Sequence, residues 1–147
     1  MKTVKNSTVQ HAQGAFKQHG RVDMALRGKT ISVQACGPFN LELMNALVAL
    51  EGEFLSSHVG QGPFTEIVEF SGSVLASPEV MVGHAELLKM LKGAGLAHKA
   101  TAYVIPAHLE GLAFMRPVAI KNYSALDWPF AIFDNLDEAN LWIRDFA

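Results

Sequence analysis

A single cysteine, Cys36, in 147 residues leaves no partner for an internal disulfide, and without a CxxC pair or a Cys/His cluster there is no thiolate zinc site. Long apolar runs are missing too. Residues 1–19 lack the seven or so consecutive apolar residues of a signal peptide, and nothing approaches the ~18 residues of a membrane span. Twelve Lys and Arg against 14 Asp and Glu give a formal net charge of −2, with no basic block, so no broad electrostatic footprint for nucleic acid or an anionic membrane exists. A reducing cytoplasm is the expected setting. No GxGxxG or GxxxxGK[ST] loop cradles a phosphate, and the six histidines include no HExxH and no pair at i,i+4, so neither a cofactor nor a metal is expected.

What is present is apolar surface. Half the residues are hydrophobic and 18% are charged, enough for one sizeable core and one domain. Residues 1–18 are weakly patterned and read as a loose arm; the domain proper spans 19–147. Val22, Met24 and Leu26 alternate with polar or small neighbours, as do Ile31, Val33 and Ala35, and Arg27-Gly28-Lys29 between them makes a hairpin. Asn40 reads as the N-cap of a helix with Leu43, Leu47, Leu50 and Phe54 inward. TEIVEFS (65–71) is a strand, and Ser77 opens a second helix with Met81, Ala85, Leu88 and Leu91 inward, closing near Gly93 and Gly95. TAYVI (101–105) fits a strand covered on both faces. A helical stretch at 107–115 should end at Arg116-Pro117, leaving 118–128 irregular. FAIF (130–133) is the last strand, and Asn135 with Glu138 starts a terminal helix with Ala139, Trp142, Ile143 and Phe146 inward. The predicted order is β-β-α-β-α-β-α-β-α, an α/β fold with a mixed sheet and flanking helices.

The motifs His19-Gly20-Arg21, Gly37-Pro38-Phe39-Asn40, Ser77-Pro78-Glu79 and Phe133-Asp134, with Glu138-Ala139-Asn140-Leu141-Trp142-Ile143 at the end, follow one another in an order that resembles the uncharacterised bacterial branch of the STAS superfamily, the domains similar to anti-sigma-factor antagonists. The resemblance covers roughly residues 19–146. It implies a mixed sheet flanked by helices and a domain that binds partners more often than it catalyses, and the expected role is a non-catalytic regulatory module. In the regulatory members a serine between a strand and the next helix is phosphorylated; aligned from the strand at 66–70, that position carries Glu79, which has a phosphate's sign of charge but cannot be switched off.

Physical chemistry assigns Ser77-Pro78-Glu79 a simpler role as cap, first helical residue and dipole-matched acid. Ligands of open α/β sheets gather at the carboxyl ends of parallel strands, which here carry Asn40, Ser77, His108 and Asp134. Acids at the neighbouring helix starts favour a neutral or apolar ligand there over a phosphate. Ser77, His108 and Asp134 also hold the elements of a hydrolytic triad, without the G-x-S-x-G elbow. A partner surface is expected at Ser77 and Glu79 and along the apolar edges formed by Met44 and Val48 on the first helix and Val82 and Met90 on the second. His84, Trp128 and Trp142 are read as packing residues, and Cys36 as a small buried hydrophobe. Three functions follow: a non-catalytic protein-binding or regulatory module, a carrier of a small apolar ligand or lipid, and, weakest, a hydrolase.

Overall fold

The computed structural model describes residues 4–11, 20–58 and 60–147. Strands β2 (Arg21–Arg27) and β3 (Thr30–Cys36) form the expected hairpin, closed by Gly28 at φ +65°, the positive angle required at the first position of a two-residue turn. Helix α1 (Leu41–Ser57) leads to β4 (Thr65–Ser71), α2 (Pro78–Gly93) to β5 (Ala100–Val104), and α3 (Leu112–Ser124) to β6 (Phe130–Phe133); α4 (Leu136–Ile143) follows. Strands β3 to β6 run parallel and lie side by side in chain order. The architecture is α/β with a mixed six-stranded sheet.

The sixth strand is β1 (Val4–Ser7), which pairs antiparallel with β2 inside the segment read as a loose arm. Its VKNS sequence has no apolar alternation to announce it. Polar contacts hold it instead: the Asn6 amide donates to Glu53 on α1 (3.0 Å), and just beyond it the fully buried Thr8 hydroxyl accepts the Val22 N–H (2.9 Å). Residues 12–18 of that arm, and His19, lie outside the described residues.

Helices α1, α2 and α3 cover one face of the sheet, where Val22, Met24, Ile31, Val33, Val68, Phe70 and Tyr103 point, while α4 packs across β4, β5 and β6 on the other. Every residue of β5 is buried, as a strand covered on both sides requires. On the far face α4 stops short of β3, so Cys36, expected inside, is exposed.

Two further expectations are corrected. Helix α3 begins at Leu112 and runs through Pro117 to Ser124, where 107–115 followed by irregular chain was expected. Proline there removes only the bond to Ala113, and since Ala113 and Pro117 are both exposed, water can satisfy the freed carbonyl. Met44, expected on a partner surface, is buried at 3% exposure. Gly83 on α2 has no side chain to hold α1 away, and a Cβ there would come within 3.0 Å of the Met44 side chain. Among the described residues no helix is long and apolar enough to cross a membrane.

Candidate functional site

Between α1–α3 and the sheet lies a cavity of about 120 Å³. Sheet residues supply its floor, from Phe70 near the carboxyl end of β4 to Glu66 near its start, and α1, α2 and α3 supply the walls. Most of the lining is aliphatic or aromatic. Met81 and His84 on α2 and Met115, Val118 and Asn122 on α3 line it and keep some solvent exposure. Of the residues read as packing, Trp128 is buried as expected, and His84 stands edge-on to Tyr123 (centroids 6.2 Å apart) in the cavity wall.

The polar end of the cavity is built from three buried ionisable side chains. Glu51 reaches in from α1, Glu66 from the second residue of β4, and His98 from the loop before β5; one donor atom of each lies within 4.8 Å of the others. His98 Nε2 sits 3.5 Å from Glu66 Oε2. The other Glu66 oxygen accepts from the Thr101 hydroxyl (3.1 Å), which accepts from the Trp128 indole N–H (3.0 Å). That relay fixes the carboxylate, and the Trp128 ring meets His98 edge-on at 5.7 Å. Glu51 Oε2, by contrast, is buried without a hydrogen-bond partner.

Electrostatics divides the two carboxylates. Burial, reinforced by the charge of Glu66, pushes Glu51 up to about 7, against the attraction of His98. Glu66 is buried equally, which would raise it, but His98 and the Thr101 hydroxyl hold it below its ordinary value. Burial would lower His98, and the Glu66 carboxylate outweighs that and raises it. Further along, the hydroxyl of Tyr103 on the floor and that of Tyr123 on α3 bond each other at 2.9 Å, and burial drives both phenols upward.

The residues predicted from sequence stand elsewhere. Asn40 and Ser77 cap α1 and α2, accepting the N–H of Leu43 (3.0 Å) and Val80 (3.4 Å), and Asn135 caps α4 through Glu138 N–H (2.9 Å). His108 and Asp134 are exposed, and none of Asn40, Ser77, His108 and Asp134 lines the cavity. Of the partner-surface residues, Val48, Val82 and Met90 are exposed at 43%, 63% and 57%, and Glu79 is exposed.

Glu51, Glu66 and His98 were missed as a site. Two of them carried a signal: Glu51 falls four residues after Leu47 and three before Phe54 on the inward stripe of α1, and Glu66 shares the inward parity of Val68 and Phe70. His98 carried none. No family model, curated protein or solved structure matches the chain.

Proposed function

We propose that this chain is a non-catalytic binding module of STAS-like architecture that holds a small, mainly apolar molecule between α1–α3 and the sheet. The cavity is the observation that carries this reading. Protein interiors are close-packed, and a space of about 120 Å³ walled mostly by aliphatic and aromatic side chains is more than ordinary packing leaves. An apolar cavity of about 150 Å³ admits benzene, which sets the scale of the occupant. One polar atom on the ligand matches the acidic end, where Glu51 lacks a partner.

The test is a titration with toluene and indole in the presence of a chelator, followed by the methyl resonances of Met81 and Met115 and by melting temperature. Saturable shifts at both methionines and a rising melting temperature are expected; ligand at ten times its Kd adds about 1.4 kcal/mol. Unmoved methyls with every probe, and no small molecule retained in native mass spectrometry, would refute the reading.

Exposed Val48, Val82 and Met90 support a second reading, a regulatory module that docks a protein partner or another copy of itself along α1 and α2. Glu79, where a phospho-acceptor stands in regulatory STAS domains, then supplies a constant negative charge beside that surface.

A further inference from the structure

We propose that Glu51, Glu66 and His98 form a binding site for a first-row divalent metal ion of the zinc class, with a fourth coordination position opening on the cavity.

The donor set fits. Two carboxylates and one imidazole are the oxygen and nitrogen ligands such ions take, and two ionised carboxylates cancel the charge of a divalent cation in a buried setting. Calcium demands six to eight oxygens and magnesium near-ideal octahedral geometry with several waters, and a largely apolar cavity supplies neither. Spacing fits as well. Ligands at about 2.0–2.2 Å from a tetrahedral ion stand roughly 3.3–3.6 Å from each other, and His98 Nε2 and Glu66 Oε2 are 3.5 Å apart. The whole set lies within 4.8 Å, so side-chain adjustment of about an ångström brings the three donors onto one ion.

Two observations beyond proximity point to a ligand. Glu51 is 8% exposed, one of its carboxylate oxygens belongs to the cluster, and its Oε2 has no hydrogen bond, an arrangement that costs stability unless something binds there. The relay from Trp128 through Thr101 holds Glu66 Oε1 and leaves Oε2 turned toward His98, as outer-shell hydrogen bonds orient metal-ligating carboxylates. Three protein ligands and one open position describe a site that binds an exchangeable group. That the ion grips the donor atom of the cavity's occupant is a step that rests on the small-ligand reading; ion binding itself does not.

The experiment uses the full chain, stripped with chelator, and Zn²⁺ titrated against a chromophoric competitor, with Co²⁺ as spectroscopic probe. One equivalent bound with Kd below about 10 μM, and Co²⁺ bands of a four-coordinate site, are expected. Glu51→Gln and His98→Gln should each weaken binding at least about tenfold with circular dichroism unchanged, while His108→Ala, an exposed histidine outside the cluster, leaves it intact. If a variant fails to fold, Co²⁺ in the parent must still shift the Trp128 indole resonance. Absence of stoichiometric uptake, uptake that survives both substitutions, an unshifted indole, or ethylammonium occupying the cluster where zinc does not would each overturn the proposal. The toluene titration, run in chelator, stands or falls separately.

Discussion

The two faces of the sheet are packed on opposite plans. Under α4, Ala100 and Ala102 of β5 meet Ala139, all at 0% exposure, with Ile67, Val104 and Ile143 around them: small side chains, a close approach and, among the described residues, no buried ionisable group. Under α1–α3 the same strands present Tyr103, Phe70 and Glu66, the aromatic rings stack in perpendicular and parallel pairs, and a cavity and the buried Glu51, Glu66 and His98 cluster remain. One strand, β5, serves both faces, so the difference comes from alternate residues of the same segment. Close packing is what an element needs in order to stay folded; a cavity with an unpartnered carboxylate lowers stability.

The sharpest way to break this contrast is to overfill the tight face. Ala102→Leu adds three carbons where β5 and α4 leave no room, and should cost about 3 kcal/mol, the upper end of overpacking penalties. Denaturant unfolding measures it.

The ionisable groups are the next largest effect. Because Glu51 titrates near 7 when folded and near 4.5 when unfolded, the folded state holds the extra proton between those values. Stability therefore falls as pH rises through that window and levels off above it. His98, also raised, contributes stability below its unfolded value that is lost as pH rises; Glu66, lowered, contributes stability above 4.5 that is lost as pH falls. Between pH 5 and 8 the Glu51 part amounts to roughly 2 to 3 kcal/mol. Glu51→Gln removes that part, so in metal-free buffer the variant should gain this much on the parent over the same interval. Parallel stability curves for the two proteins would show that Glu51 ionises freely and that the two faces do not differ in electrostatic cost.

Why the tight face was legible and the site was not follows from how each is encoded. Ala139, Trp142 and Ile143 lie on one helix and announce their inward face by spacing; Asn40, Ser77 and Asn135 announce their helix starts by residue type, and all three cap as expected. Glu51, Glu66 and His98 come from a helix, a strand and a loop. They meet only because Glu66 pairs in register with Thr101, beside the strand entry that His98 precedes, and register is not written locally. General rules for parallel sheets also directed attention to the carboxyl ends of the strands, whereas the buried charges gather at the amino ends. Helix α3 is longer than its sequence suggests because proline weighs heavily in sequence and more lightly on an exposed helix face.

The smallest expected effect is the most informative. Ala119 on α3 is buried at 4% exposure, like its counterparts beneath α4, but it borders the cavity. In Ala119→Leu the three added carbons can enter the void. Their burial is worth up to about 2 kcal/mol at ~0.8 per methylene, and imperfect fit offsets much of it, so stability should stay within ~1 kcal/mol of the parent. Toluene and indole should then lose their site, with the Met81 and Met115 methyls no longer responding, while Zn²⁺ uptake through Glu51, Glu66 and His98 continues. The same alanine-to-leucine change thus distinguishes the faces by about 2 kcal/mol or more in denaturant unfolding. Equal losses for Ala102→Leu and Ala119→Leu would mean that α3 is packed as tightly as α4 and that the cavity cannot receive even a leucine side chain, leaving no room for a ligand.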